Sequence, residues 1–215
     1  MVKYSVSVVI PCYNDASTIT SQIISAASIL KNLCKDFEIL VVDDGSRDNT
    51  PRIISSFNKS IKQLKFKIHK NNLGFGQTIK ELYNWGSKDL IFSIPGNGQI
   101  RPKEILKLIK YIDQYDVVIG KRKIRYVNKR RKLQSISYNF LVNLLYRLNL
   151  SDVNSSKLIK RAKFKKIKLI ANSAFVDAEL AFKILKNGGK IIEVPIIHNS
   201  GPSRGSGSLK YMGYS

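Results

Sequence analysis

The feature that most constrains this chain is a regular alternation of short apolar, β-branched runs with segments of helical periodicity, beginning at its first residues. Tyr4 to Ile10 reads as a strand. Asp15 to Leu33 follows as a helix, with Ile19, Ile23, Ala26, Ala27 and Leu30 at helical spacing. Phe37 to Val42 is a second strand running into Asp43-Asp44-Gly45, and Asp48 to Phe57 resumes a helical pattern around Pro51. Lys65 to His69, Asp89 to Ile94 and Asp116 to Ile119 continue the strand series, with helices over Gly76 to Trp85 and from Pro102 onward between them. Alternation of this kind specifies a mostly parallel sheet flanked by helices, a Rossmann-like α/β domain.

The last third is less regular. A basic stretch covers Lys121 to Arg131, a helix is expected over Ser135 to Leu150 and another over Ala178 to Lys186, and Lys190 to Ile197 reads as a strand whose Pro195 suits an edge or a bend. With 215 residues and no repeat of fixed period, one domain over residues 1–198 is expected, followed by a Gly/Ser-rich flexible tail over 199–215.

Composition restricts the function. Cys12 and Cys34 sit in apolar runs without histidine or cysteine at ligand spacing, which argues for two buried thiols and against a zinc site or a disulfide framework. The apolar run ending at Pro11 is too short for a signal peptide core or a membrane span, so a cytoplasmic protein is expected. Against 15 Asp and Glu stand 37 Lys and Arg, a formal charge of +22. Such a balance suits nucleic acid, an anionic membrane face or a phosphate-rich small substrate. No nucleic-acid motif and no regular interleaving of aromatic with basic residues accompanies it, so nucleic acid is not the expected partner.

In an open parallel sheet, ligands bind at the carboxyl ends of the strands. Four loops there have unusual composition: residues 11–15, 43–46, 71–76 and 95–99. The succession V-V-I-P-C-Y-N-D, V-V-D-D-G-S-R-D-N-T and N-N-L-G-F-G-Q-T resembles the family-2 glycosyltransferases, especially the dolichol-phosphate mannose synthase-like branch. The resemblance continues through G-N-G-Q-I-R-P-K-E-I, V-V-I-G-K-R, F-V-D-A-E-L, I-I-E-V-P-I and R-G-S-G-S, and so covers nearly the whole chain. Its implied fold is the glycosyltransferase A fold. Its implied activity is transfer of a sugar from a nucleotide-sugar donor to a polyprenyl or dolichyl phosphate, or to another glycan acceptor, at the cytoplasmic face of a membrane. The excess positive charge suits peripheral attachment there.

The resemblance also implies roles. Pro11 and Tyr13 shape the loop around the base, Asp15 stands where the family has Glu and accepts hydrogen bonds from the nucleotide, and Asp44, with Asp43 as neighbour or alternative, receives the base's ring N–H. An alternative reading makes Asp43, Asp44 and Ser46 caps of the next helix. Gly74 and Gly76 would let backbone approach the ligand or the sheet. The family's Asp-x-Asp, which holds Mg²⁺ or Mn²⁺, aligns with Pro95-Gly96-Asn97 ahead of Gln99, leaving Asn97 as the one candidate metal ligand. A neutral amide is a poor substitute for two carboxylates. Lys121, Arg122 and Arg204 are then the candidates for stabilising the departing diphosphate. Asp177 and Glu179 are the implied carboxylates of the transfer step; one would orient sugar or pair with a basic residue while the other caps a helix. His69 and His198 have no partner at diagnostic spacing and are expected to be structural or exposed. The missing acidic pair also admits a second reading, a binding or regulatory homologue that retained the nucleotide pocket without turnover.

Overall fold

The computed structural model describes residues 1–57, 60–123, 137 and 148–199. Seven strands form one sheet: β1 (Val6–Cys12), β2 (Phe37–Asp43), β3 (Leu64–Ile68), β4 (Leu90–Ser93), β5 (Val117–Arg122), β6 (Lys157–Lys160) and β7 (Ile191–Ile196). The helices are α1 (Ile19–Leu33), α2 (Thr50–Ser56), α3 (Phe75–Trp85), α4 (Ile105–Leu108), α5 (Arg161–Phe164) and α6 (Val176–Lys186). Short 3₁₀ turns, Pro102–Glu104 and Ile109–Tyr111, flank α4, so the segment opened by Pro102 is a mixed helix.

The sheet order is β3-β2-β1-β4-β6-β5-β7, and every pairing is parallel except the two made by β6. Continuous apolar runs such as Val8 to Ile10 and Ile39 to Val42 suit central strands covered on both faces, and all of these residues are buried. Alternate residues feed two cores. Val8, Ile10, Phe92 and Leu158 pack with α1 and α4, while Val9, Leu40, Ile91 and Ile159 pack with α3 and α6. Cys12 and Cys34 lie in the first core as free thiols, as their apolar surroundings predict.

The alternation read from sequence places β1 to β5 and β7 within a few residues of their positions, and β7 is an edge strand, as Pro195 suggested. Strand β6 and helix α5 were not foreseen. Only Leu158 and Ile159 of β6 are apolar, and its first residue is a lysine, so four residues carry too little pattern to register. Helix α1 begins at Ile19 rather than Asp15; residues 15–18 instead form a turn in which the amides of Thr18 and Ile19 donate to the Asp15 carbonyl. Of the helix expected over Ser135–Leu150, residues 148–150 are not helical, and Leu148 and Leu150 pack into the second core. The rest of that segment apart from residue 137, the basic stretch beyond Lys123, and the tail beyond Asn199 with Arg204 lie outside the described residues. Among the described residues no helix is long and apolar enough to cross a membrane.

A candidate nucleotide crevice at the switch point of the sheet

The chain builds β1, β2 and β3 outward in one direction and then returns, placing β4 on the other side of β1. Strand order therefore reverses between β1 and β4, and the loops leaving these two strands mark the switch point at which open α/β sheets bind ligands. The loops after β1 and β4 are tied together. The Gly96 amide donates to the Pro11 carbonyl at 3.0 Å, the Thr18 hydroxyl to the Gly96 carbonyl at 2.8 Å, and the buried Gln22 amide to the carbonyls of Pro95 and Ile100 at 2.7 and 2.9 Å. Gly96 must be glycine here. A Cβ at that position would stand 2.6 Å from the Cys12 Cβ and 2.8 Å from Asp15 Oδ2.

Asp15 thus lies directly against the 95–97 segment. It is 8% exposed and accepts the Tyr13 amide at 3.2 Å. Burial, with added repulsion from Asp48 and Asp43, raises its pKa to about 6, against the lowering effect of that one hydrogen bond. Asn14, at φ 54, joins the two flanking loops by accepting the Arg47 amide on its side chain and donating its own amide to the Ser46 hydroxyl, both at 2.8 Å. Its place within the first motif was visible in the sequence. Its bridging role was not, because both of its partners are more than 30 residues away.

Asp43 and Asp44 divide their tasks. Asp43 is fully buried and accepts the amide and hydroxyl of Ser46, with burial pushing its pKa up. Asp44 turns toward the loop before α3, where it accepts the amides of Leu73 and Gly74 at 2.9 and 3.0 Å and contacts His69 Nδ1 at 3.0 Å. Neither is a helix cap; it is Asp48 that accepts the Thr50 amide at the start of α2. His69 proves structural rather than partnerless, bridging Asp44 and Glu81. Its burial disfavours the imidazolium, but its hydrogen bonds to both carboxylates more than reverse this and raise its pKa. Gly76 is a second close approach: a Cβ there would collide with the backbone of Asn172 and Ser173, so α3 begins in contact with the loop that leads to α6.

These contacts predict the effect of a substitution. Asp44→Asn keeps the shape but puts an amide group where two backbone amides donate, which should loosen the 71–74 loop. A five- to tenfold loss of nucleotide affinity in a folded variant is expected, about the value of one ordinary hydrogen bond. Titration calorimetry would read it, and unchanged affinity would separate this loop from the ligand.

The remaining expected site residues are dispersed. Asn97 accepts the Gln99 amide on its side-chain oxygen at 3.1 Å, closing the turn after β4. Lys121 is exposed at the end of β5, whereas Arg122 grips Asp152 through Nε at 2.8 Å and through its backbone amide at 2.9 Å, so much of its charge is already answered. Asp177 and Glu179 are both buried on α6. Asp177 pairs with Lys157 at 2.8 Å, and the two side chains are 2% and 1% exposed. Glu179 accepts the amides of Ile170 and Ala171 at 2.9 and 2.8 Å and the Lys183 ammonium at 2.6 Å; despite its burial, these donors lower its pKa. Lys157 and Asp152 escaped sequence reasoning because the unrecognised β6 and its approach carry them.

The described residues do not fit a divalent cation. Residues 95–97 offer no carboxylate, the Asn97 oxygen is taken by Gln99, and among the described residues no three His, Cys, Asp or Glu side chains converge as a metal site.

Comparison with known proteins agrees with the architecture of the sheet. The model of the family described as "Glycosyl transferase family 2" matches residues 7–171. An uncharacterized protein of Methanocaldococcus jannaschii is 28% identical over 86% of this chain and 84% of its own length. The undecaprenyl-phosphate 4-deoxy-4-formamido-L-arabinose transferase of Yersinia enterocolitica is 31% identical over 64% of this chain. That match spans 42% of the transferase, less than half its length. Among solved structures, the glucosyl-3-phosphoglycerate synthase of Mycobacterium tuberculosis in complex with Mn²⁺, UDP and glucosyl-3-phosphoglycerate superposes with a TM-score of 0.68 at 18% identity, covering 93% of this chain and 74% of that one. S. aureus TarS in complex with UDP-GlcNAc gives 0.64 at 21% identity, covering 95% and 61%. The fold is the glycosyltransferase A fold.

Proposed function

Because the chain belongs to glycosyl transferase family 2, we propose that it moves a sugar from a nucleotide sugar to a phosphate-bearing lipid or another glycan acceptor at the cytoplasmic face of a membrane. The observation that carries this reading is the crevice between β1 and β4, framed by Tyr13, Asp15 and the loop held by Asp44. Carboxylates fixed there by their hydrogen bonds to backbone amides offer a nucleotide directional acceptors at little further ordering cost. The relatives point the same way, since one is named for transfer to undecaprenyl phosphate and one neighbour is bound to a UDP-sugar.

In this proposal the donor's nucleotide occupies the crevice and its sugar points past Asn97. An acceptor oxygen attacks the anomeric carbon while the bond to the diphosphate breaks, and the nucleoside diphosphate departs with the electron pair. An acceptor phosphate is already ionised and needs no strong base to remove a proton. The charge developing on the diphosphate requires positive partners, and Lys121 is a cation of this chain at the strand ends. The high positive charge suits attachment to an anionic bilayer, each basic residue near the surface contributing about 1 kcal/mol.

A second reading, a nucleotide-sugar-binding homologue without turnover, is favoured by the absence of carboxylates at residues 95–97. Calorimetric titration with UDP- and GDP-sugars, in Mg²⁺ or Mn²⁺ and again in chelator, tests both. Binding that survives chelation, together with release of nucleoside diphosphate when a prenyl phosphate is added, is the expected result. Binding without release supports the second reading, and the absence of binding under every condition removes both.

A further inference from the structure

Beside the loop after β4 lies a cleft of about 1060 Å³. Its wall is formed by the start of α1, the 97–102 segment and the residues following β5 and β7. The cleft has no Asp or Glu in its lining. It does have Arg101, Lys123 and His198, with hydroxyl and amide donors that include Ser17, Ser21 and Asn199.

Arg101 and Lys123 are both exposed where they border this carboxylate-free cleft. Among the described residues ten lysines and arginines, from Lys3 to Lys183, are within ion-pair distance of a carboxylate, and the other described cations are not. Among the described residues Arg101 and Lys123 have no such partner. The nearby carboxylate of Glu104 is 1% exposed and already accepts the Lys107 ammonium at 2.6 Å and the Ile197 amide at 3.1 Å. Its charge is already answered by these two donors.

The backbone that carries these groups is held in place. Asn199 donates its amide to the Gln99 carbonyl at 2.8 Å, which ties the segment after β7 to the loop after β4. The Lys123 amide donates to the Ile196 carbonyl at 3.2 Å, and the Arg101 carbonyl accepts the Glu104 amide at 3.1 Å. His198 is pushed down in pKa by its burial and by the charge of Arg122, so at neutral pH it offers a neutral ring to a ligand.

We propose that this cleft seats the phosphate group of the acceptor, with Arg101 and Lys123 as its charged partners and the α1 hydroxyls as additional donors. The proposal rests on the transferase reading above. A phosphate monoester is a compact dianion that gains most from two cations and several neutral donors in a concave, carboxylate-free setting. The loop after β4 then separates donor from acceptor, with the sugar passing across Asn97.

The test compares the full chain with R101Q/K123Q and with the charge-matched control K165Q/K166Q, whose lysines are exposed on the segment after α5. Inorganic phosphate, farnesyl phosphate and nucleoside diphosphates are titrated at one ionic strength, after melting curves show that each variant is folded. The expected result is a tenfold or greater loss of affinity for both phosphate and farnesyl phosphate in R101Q/K123Q. Nucleoside diphosphate affinity should change less than twofold, and the control should behave as wild type. Unchanged farnesyl phosphate affinity in the cleft variant, or an equal loss in the control, overturns the proposal. So does a selective loss of nucleoside diphosphate affinity, which would assign the cleft to the donor. Wild-type protein that binds farnesyl phosphate through the cleft but no nucleoside diphosphate would sink the transferase reading while leaving the phosphate site in place.

Discussion

Replacing Lys157 with methionine is expected to cost about 3–5 kcal/mol of folding stability, the range for leaving one member of a buried ion pair without its counter-charge. Lys157 Nζ stands 2.8 Å from Asp177 and donates to the Ser155 carbonyl at 2.7 Å; Tyr83 and Ser93 complete the surroundings. Neither charge reaches water, so removing the ammonium strands a carboxylate in the second core. Replacing both residues, K157M with D177L, should recover at least half of the loss, because a well-packed apolar pair of similar volume can match a buried ion pair in stability. Denaturant unfolding of the single and double variants measures the coupling directly. If K157M unfolds at the wild-type midpoint, the pair is not sequestered, and Asp177 is open to solvent and to substrate. The usual outcome, a large coupling, would mean that Asp177 serves the site by joining β6 to α6.

The second large effect concerns Asp15. Its pKa of about 6 lies above the 3.8 of the free side chain, chiefly because of burial. The folded chain therefore holds this proton more tightly than the unfolded chain does. The resulting contribution to stability is fully present below about pH 3.8 and is lost as pH rises through about 6. The difference corresponds to a penalty on the order of 3 kcal/mol at neutral pH. Asp15→Asn keeps an acceptor for the Tyr13 amide without the charge. Its stability advantage over wild type should be small at pH 4, grow between pH 4 and 7, and level off above. Melting curves across that range decide it. A constant difference, or wild type gaining on the variant as pH rises, would place the carboxylate in solvent or beside a cation. If Asp15 also receives donors from the nucleotide, the more stable variant will bind nucleotide less tightly, a trade expected where a binding site retains an unfavourable buried charge.

Both predictions arise from side chains whose surroundings are assembled from distant parts of the chain, and this is where legibility in the sequence ended. Asp15 could be singled out from its motif, but nothing local announced that Gly96 lies against its carboxylate. Asp44 could be singled out too, and its commitment to the amides of Leu73 and Gly74 depends on the parallel pairing of β2 with β3. Arg122 was chosen for its charge, which Asp152 largely answers from a segment that carries no pattern of its own.

The sequence by itself determined the layered α/β architecture and the loops that bear the site. Apolar periodicities of two and 3.6 residues are local, as are the turn-forming residues that end each strand, so both can be read one segment at a time. Only the tertiary structure decided where β6 enters, why Lys157 is buried, and which cations remain without a carboxylate. Strand β6 is antiparallel and four residues long, and its stability comes from β4 and β5 on either side rather than from its own propensity. Charge neutralisation is likewise a property of distance in space: Arg101 and Lys123 are indistinguishable in sequence from the paired basic residues, and only the folded chain separates them.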